Sequence, residues 1–258
     1  MTLEANNRQI ASLALSLLDL TDLTDDCTPE AIEALCAKAR TSHGPVAAIC
    51  IWPRFVRQAR GILGTQSPVR IATVVNFPSG DLPVEQVVEE TQAALADGAD
   101  EIDLVIPYKA FKAGDEAAVR SMIRAVRAAC PAPALLKTIL ETGQLQDKTL
   151  IRRACEIAIE EGADFIKTST GKVAVNATLE AADVMLTTIR GSGKRVGFKP
   201  AGGVRTVPEA RLYLNLAATI LGPDWPMPST FRFGASGLLG DILATLDGRE
   251  SATPAAAY

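Results

Sequence analysis

Four charged residues stand in the middle of short apolar segments that are typical of β-strands. They are Asp103 in "EIDLVIP", Lys137 in "ALLKTILE", Lys167 in "DFIKTST" and Lys199 in "RVGFKP". Successive side chains of a strand alternate between its two faces, so the apolar neighbours of each charge belong to the opposite face. An unpaired charge in a protein core costs several kcal/mol. These residues therefore need either mutual pairing or a chemical use.

The residue types favour a chemical use. Three lysines against one aspartate leave a surplus of positive charge, and a lysine beside other ammonium groups in a partly desolvated cavity loses its proton below the usual pKa of about 10.4. A neutral lysine attacks a carbonyl to form a Schiff base, which then acts as an electron sink. We therefore predict aldol chemistry, with Lys167 as the nucleophile, Lys199 as the second cation and Asp103 as the acid/base group. A buried ion network that only fills the interior is the alternative.

Glycine-rich turns follow three of the predicted strands. They are "STGK" (169–172), "PAGGV" (200–204) and "FGASG" (233–237). Backbone N–H groups in such turns bind phosphate, helped by a following helix N-terminus. "TSTGK" is not a Walker A loop, because Ile166 stands where the first glycine is needed and Val173 follows the lysine. The predicted phosphate-binding residues are Gly171, Lys172, Gly202, Gly203, Val204, Arg205, Gly234, Ser236 and Gly237.

The elements that must position these residues alternate along the chain. Candidate strands recur at eight apolar segments: 46–51, 70–77, 101–107, 134–142, 164–170, 195–200, 217–222 and 231–236. Helical periodicity fills most intervals, as in 82–99 and 147–163, and Thr206 and Glu209 have the spacing of a capping box. This alternation predicts parallel strands. Eight units predict an α/β fold of the TIM (β/α)₈ barrel type, with a doubly wound open sheet as the alternative.

The ends of the chain are interpreted separately. Residues 14–39 predict one or two extra N-terminal helices beside the barrel, and residues 247–258 have the composition of a flexible tail. The sequence between them shows no linker. We therefore expect one domain over residues 1–258.

Composition excludes several classes of protein. The 258 residues carry a net charge of −4 without a basic cluster, which argues against a nucleic-acid partner. The one histidine, His43, precedes Gly44-Pro45, so a metal site built on several imidazoles is excluded in one chain. The five cysteines lack C-x-x-C spacing, which favours reduced thiols. No apolar run approaches the length of a membrane span, so we expect a cytoplasmic protein with no membrane partner.

At these residues the sequence resembles the 2-deoxy-D-ribose-5-phosphate aldolase family of class I aldolases. The resemblance runs from "LDLTDLTDD" to the terminal tyrosine. It is carried by "AAICIWPRF", "IATVVNFP", "GADEIDLVIPY", "LLKTILETG", "GADFIKTSTGKVAVNAT", "VGFKPAGGVRT" and "RFGASGLL". The last turn departs from the family pattern, because Gly237 stands where members often have a second serine.

The resemblance implies an activity and a role for each residue. The expected enzyme is a lyase that reversibly cleaves 2-deoxy-D-ribose 5-phosphate to D-glyceraldehyde 3-phosphate and acetaldehyde, with no metal and no cofactor. Lys167 matches the Schiff-base lysine, Lys199 the lysine that lowers its pKa, Asp103 the acid/base aspartate and Lys137 a lysine near that aspartate. The glycine turns match the phosphate site.

The resemblance also places Tyr258 on a mobile tail that enters the active site, where its phenol would assist proton transfer. The oligomeric state is left open, with a homodimer as the working expectation. Two alternatives to this function remain. They are a metal-dependent aldolase, which the single histidine disfavours, and a phosphometabolite-binding barrel without covalent chemistry, which leaves the inward lysines unexplained.

Overall fold

Eight parallel strands form the sheet at the centre of the protein. The structure is a computed structural model that describes residues 6–249. The strands are β1 (Leu18–Asp22), β2 (Ala48–Ile51), β3 (Arg70–Val75), β4 (Glu101–Val105), β5 (Leu135–Ile139), β6 (Phe165–Lys167), β7 (Gly197–Lys199) and β8 (Phe233–Ala235). Each strand from β1 to β6 pairs in parallel with the next, and β8 pairs with β1.

Two parallel bridges bring β7 next to β8 and so close the sheet into a barrel. Phe198 pairs with Phe231, and Ala201 pairs with Gly234. The backbone N–H of Gly234 donates to the carbonyl oxygen of Pro200 at 2.9 Å. The structure therefore has the (β/α)₈ architecture that the alternation predicted, and not an open sheet.

Helices surround the barrel. They are α1 (Asn7–Ser16), α2 (Pro29–Lys38), α3 (Val56–Leu63), α4 (Val84–Ala96), α5 (Tyr108–Lys112), α6 (Glu116–Ala129), α7 (Thr142–Leu145), α8 (Lys148–Glu160), α9 (Leu179–Ser192), α10 (Val207–Leu221) and α11 (Leu238–Leu246). α4 and α8 lie inside the predicted helical ranges. The predicted capping box is present, because Thr206 and Glu209 satisfy each other's backbone N–H groups at the start of α10.

Two strand assignments from the sequence were wrong. Residues 217–221 form the end of α10, and Gly222 is its C-cap with a φ of 108°. A short apolar run that continues a helix cannot be told from a buried strand by periodicity alone. Leu18–Asp22, assigned to an extra helix, is instead the first barrel strand. Only Leu17 separates it from α1, without a Gly or Pro to mark the boundary. The predicted total of eight strands was right only because one error offset the other.

One extra helix precedes the barrel. α1 begins at Asn7 with Asn6 as its N-cap and packs against α10 and α11. The other helix of the 14–39 segment, α2, follows β1 and is an ordinary member of the outer ring. Among the helices of residues 6–249, none has the length and apolar character that a membrane span requires.

The outward strand faces form the apolar core against the helices. Ile102, Leu104, Leu136, Ile166 and Phe198 are fully buried there, as the alternation predicted. The opposite faces line the barrel interior, which in most barrels of this type is filled by branched apolar side chains. Here several of the inward positions carry charges, and these build the candidate site.

Candidate active site

The four predicted charges meet inside the barrel. Strand register places Asp103 beside Lys137, and Lys167 beside Lys199. Asp103 accepts a hydrogen bond from Lys137 Nζ at 2.9 Å through Oδ1. Its other oxygen, Oδ2, accepts from Lys167 Nζ and from Lys199 Nζ, each at 2.8 Å. One carboxylate therefore holds all three ammonium groups.

Three further charged residues belong to this array, and the sequence analysis missed them. Asp19 accepts from Lys199 Nζ at 2.5 Å and from the Arg232 guanidinium at 2.7 Å. Glu101 lies 2.5 Å from Lys137 Nζ and accepts from Arg232 at 2.9 Å. The pattern could have revealed Glu101 and Arg232, because they share the inward parity of Asp103 and Gly234. Asp19 was hidden by the wrong assignment of β1.

The complete array is closer to electrical balance than the sequence indicated. Its buried members are the carboxylates of Asp19, Glu101 and Asp103 and the cations Lys137, Lys167, Lys199 and Arg232. The predicted surplus of two positive charges is therefore reduced to one. A nearly balanced and fully hydrogen-bonded array can be buried where a lone charge cannot.

The array lowers the pKa of Asp103 and of Asp19 and raises the pKa of two of its lysines. Burial alone would raise the pKa of Asp103, but Lys137, Lys167 and Lys199 hold it well below its usual range. Burial alone would lower the pKa of Lys199, yet Asp103 and Asp19 raise it. The pKa of Lys137 is likewise raised, because Asp103 and Glu101 outweigh burial. Lys137 and Lys199 therefore act as permanent cations.

A cavity of about 1140 Å³ opens above the array at the carboxyl ends of the strands. Of the three lysines bonded to Asp103, Lys167 is the one that lines this cavity, with 3% of its surface exposed. Lys137 and Lys199 lie beneath it with no exposed surface. Geometry thus gives Lys167 access to a bound molecule and makes the other two lysines its charged support.

All nine predicted phosphate-binding residues line the same cavity as Lys167. They are Gly171, Lys172, Gly202, Gly203, Val204, Arg205, Gly234, Ser236 and Gly237. α11 begins directly after Gly237 and directs its N-terminus toward this part of the cavity. The strand ends therefore bring the three glycine turns together, as expected for parallel strands.

The backbone N–H groups of these turns differ in availability. Those of Gly202 and Gly234 already donate to carbonyl oxygens of Gly234 and Pro200. Among these nine residues, the N–H groups of Gly171, Gly203, Val204, Ser236 and Gly237 have no protein acceptor within residues 6–249. These five are the backbone donors free for an anion. Gly237 thus keeps an open N–H although it lacks the serine hydroxyl of the family pattern.

The Lys172 side chain extends away from the glycine turns. Its Nζ donates to Asp25 at 2.9 Å and lies 5.8 Å from the centre of the Trp52 ring. Asp25 is highly exposed, so solvent screens this pair. An anionic ligand can therefore draw Lys172 from Asp25 at small cost.

The remaining candidates are placed as follows. His43 lies in a tight hairpin and contacts Asp247 at 2.7 Å. All five cysteines are buried free thiols, as the spacing indicated, and Cys50 Sγ lies 4.0 Å from Asp103 Oδ2. Within residues 6–249, no group of three or more His, Cys, Asp or Glu side chains is arranged to hold a metal ion. Tyr258 lies outside the described residues.

A (β/α)₈ barrel with a cavity-lining lysine above a charged array, and with glycine turns beside it, defines a class of lysine-dependent aldolases. Comparison with known proteins supports this class. The chain belongs to the DeoC/LacD family of aldolases, whose sequence model matches residues 13–222.

Individual relatives agree with the family assignment. The chain is 68% identical over 259 residues to a deoxyribose-phosphate aldolase of Agrobacterium fabrum, covering both chains fully. A solved structure from Toxoplasma gondii, described as a candidate deoxyribose-phosphate aldolase, has a TM-score of 0.86 at 28% identity over 95% of this chain and 96% of its own. A similarly described structure from Coccidioides immitis has a TM-score of 0.82 at 29% identity over 95% and 90%.

Proposed function

We propose that this aldolase reversibly cleaves 2-deoxy-D-ribose 5-phosphate to D-glyceraldehyde 3-phosphate and acetaldehyde through a Schiff base on Lys167. The observation that carries the proposal is the position of Lys167. It borders the cavity while its Nζ shares Asp103 Oδ2 with Lys199. The near-full-length identity to the Agrobacterium fabrum enzyme supports the choice of substrate.

The reaction begins with the open-chain sugar. Neutral Lys167 Nζ attacks the aldehyde carbon C1, and loss of water gives a protonated imine. A water held by Asp103 removes the proton of the C3 hydroxyl, and the electron pair of the breaking C2–C3 bond moves into the imine. D-Glyceraldehyde 3-phosphate leaves, and the remaining enamine takes a proton at C2. Hydrolysis of the imine then releases acetaldehyde and restores the lysine.

A buried cation shares the carboxylate that the nucleophile contacts. Asp103 would stabilise a protonated Lys167 at 2.8 Å, but Lys199 competes for the same oxygen. Like charges this close disfavour each other. Lys137 holds Oδ1 of Asp103 and so fixes the carboxylate plane. Lys199 and Lys137 thus act on the reaction through Asp103 and Lys167.

The phosphate of the substrate binds at the glycine turns. The open N–H groups of Gly203, Ser236 and Gly237 and the N-terminus of α11 supply donors and partial positive charge. Lys172 and Arg205 add full charges from the cavity wall. Charge-assisted hydrogen bonds of this kind fix the substrate at one end while C1 meets Lys167.

We further propose that Tyr258 assists proton exchange at C2. The phenol of tyrosine is a competent acid/base group in a closed site, and the cavity wall includes Asp247 and Arg249, close to the start of the C-terminal segment. In Tyr258→Phe, turnover is expected to fall severalfold while imine trapping at Lys167 persists. Solvent deuterium exchange into acetaldehyde is the direct measurement, and an undiminished rate would contradict this role.

Borohydride reduction with bound substrate tests the central proposal. Reduction of the imine leaves a stable adduct, and peptide mass mapping is expected to find it on Lys167. A metal-dependent aldolase would give no adduct and would lose activity with chelator. A binding barrel without covalent chemistry would give neither an adduct nor acetaldehyde.

The remaining expectations stay predictions. These are a single domain over residues 1–258, a homodimer, a cytoplasmic location and a reaction that needs no cofactor and no metal. Light scattering on the purified chain measures the oligomeric state. Full activity after dialysis against EDTA is the result expected for a metal-independent enzyme.

A further inference from the structure

A buried carboxylate beside the candidate site has no part in the mechanism above. Glu141 follows β5 and has no exposed surface. Its backbone is left-handed, with φ 55° and ψ 57°, a conformation that residues with a side chain rarely adopt. The candidate strand 134–142 included Glu141, but the strand ends at Ile139. Backbone strain of this kind concentrates at functional sites.

The left-handed turn directs the Glu141 carboxylate to Thr170. Oε2 lies 2.5 Å from Thr170 Oγ1, and Oε1 accepts from the Thr170 backbone N–H at 3.3 Å. Within residues 6–249, no Lys or Arg side chain forms an ion pair with Glu141. Thr170 is therefore the hydrogen-bonding partner of this carboxylate in the described structure.

Thr170 belongs to the wall of the active-site cavity, whereas Glu141 does not. The Thr170 hydroxyl has one proton to donate and two lone pairs that can accept hydrogen bonds. An ionised Glu141 takes the proton. One lone pair accepts from the backbone N–H of Lys172 at 3.0 Å. The remaining lone pair is the one that a ligand in the cavity can use, so the ligand must supply the proton.

The position of Thr170 indicates which part of the substrate it meets. Thr170 lines the same cavity as Lys167, which bonds C1, and as the adjacent Gly171, which belongs to the proposed phosphate site. The open-chain substrate has hydroxyls on C3 and C4 between these ends. A water held by Asp103 acts at C3. The C4 hydroxyl, which is the 2-hydroxyl of D-glyceraldehyde 3-phosphate, is therefore left for Thr170.

We propose that Glu141 is a positioning residue that fixes Thr170 as a hydrogen-bond acceptor and so makes the site select an aldehyde with a 2-hydroxyl group. The inference rests on the proposed function. Glu141 does not touch the substrate and acts through the hydroxyl of Thr170. A protonated Glu141 would reverse the direction of the hydrogen bond with Thr170, because its O–H would donate to Thr170 Oγ1. The threonine O–H would then be free to donate to a ligand in the cavity.

The test is the condensation of acetaldehyde with two acceptors. D-Glyceraldehyde 3-phosphate carries the 2-hydroxyl, and 3-oxopropyl phosphate lacks it. The ratio of their kcat/KM values measures selection and cancels effects common to both, such as loss of folded protein. In Glu141→Gln one oxygen becomes an NH₂ donor, so Thr170 loses an acceptor. The ratio is expected to fall about tenfold, the factor for one hydrogen bond of about 1.4 kcal/mol, mainly through the KM of the hydroxylated acceptor.

Two further variants separate this role from structural damage. Thr170→Val removes the acceptor itself and is expected to lower the ratio as much as Glu141→Gln, and it provides the test if Glu141→Gln fails to fold. Thr142→Val is the matched control. Thr142 is the next residue along the chain, is 3% exposed, and its Oγ1 has no hydrogen-bond partner in the described structure. The ratio of the two kcat/KM values in Thr142→Val is expected to equal that of the wild type.

The pH dependence of the ratio gives a second, independent measurement. Burial raises the pKa of Glu141, and the hydrogen bonds from Thr170 and the charge of Lys167 oppose this. Tyr108 on α5 also interacts with Glu141, while Lys112 on the same helix bonds the Gln144 carbonyl oxygen. The acceptor ratio should fall as the pH falls through this raised pKa, and Thr170→Val should show no such change.

The failure of this inference can be told apart from failure of the proposed function. If borohydride traps no imine in the wild-type enzyme, the proposed function is wrong. If trapping is normal but Glu141→Gln lowers kcat/KM equally for both acceptors, or leaves the ratio unchanged, Glu141 does not direct Thr170. A ratio that falls equally in Thr142→Val would also overturn the inference.

Discussion

Removing the charge of Lys199 is expected to shift the pH dependence of imine formation upward by about 2 units. Lys167 Nζ and Lys199 Nζ each lie 2.8 Å from Asp103 Oδ2, so they are at most twice that distance apart. Two unit charges at this separation repel by about 3 kcal/mol at an effective dielectric constant of about 20. One pH unit corresponds to about 1.4 kcal/mol. In Lys199→Leu this repulsion is lost, and protonated Lys167 becomes easier to form.

The assay is borohydride trapping with acetaldehyde, followed by intact mass from pH 5 to 10 and expressed per folded molecule. Acetaldehyde carries no phosphate, so the phosphate site does not affect the result. Lys38→Leu is the control, because exposed Lys38 lines the outer part of the same cavity and solvent screens its charge. A shift below about 0.5 unit, a downward shift, or an equal shift in Lys38→Leu would refute the electrostatic argument.

The same variant has a cost in stability that must be measured beside the pH shift. Breaking a buried ion pair costs about 3–5 kcal/mol when one partner stays unpaired. Here Asp19 keeps Arg232 at 2.7 Å, and Asp103 keeps Lys137 and Lys167. We therefore expect a loss of about 3 kcal/mol, at the lower end of that range. Urea unfolding at pH 7 gives the value.

Three further predictions concern the nucleophile, the phosphate site and the buried carboxylates. Lys167→Arg should abolish imine trapping, because arginine keeps its proton near neutral pH; a trapped adduct in this variant would make the assignment wrong. Unphosphorylated 2-deoxyribose should lose a factor on the order of 10² or more in kcat/KM, and comparable efficiency would remove the case for a phosphate site. The pKa of Asp103 and of Asp19 is lower in the folded chain despite burial, because lysines and Arg232 surround them, so their contribution to stability is present above the unfolded value of about 3.9 and is lost as the pH falls below it. Urea midpoints should therefore drop between pH 5 and pH 3, and an unchanged midpoint would contradict this.

The sequence predicted most of the barrel and the four charged residues that meet inside it, because both leave local patterns. Alternation of apolar and charged residues marks which strand face a side chain occupies. That pattern was enough to find Asp103 and all three lysines. The glycine turns were found for the same reason, since parallel strands bring their carboxyl ends to one edge.

The parts that could not be predicted depend on contacts between distant segments. Arg232 joins Asp19 to Glu101 across 213 and 131 residues of sequence, and no local pattern indicates this pairing. Residues 217–222 show the same limit for secondary structure, because a short apolar run fits a buried strand as well as it fits the end of a helix such as α10. Glu141 shows the same limit for side-chain direction, since its left-handed backbone breaks the strand alternation that the candidate strand 134–142 would imply.

The composition of the array links stability to catalysis in this protein. Each carboxylate contacts at least two cations, so the barrel interior tolerates charges where apolar side chains usually pack. A variant that removes one charge therefore changes both the stability of the fold and the electrostatic environment of Lys167. Loss of activity alone cannot distinguish these effects. A pH shift measured on folded molecules can, because unfolding removes active protein without changing the proton affinity of the lysine that remains folded.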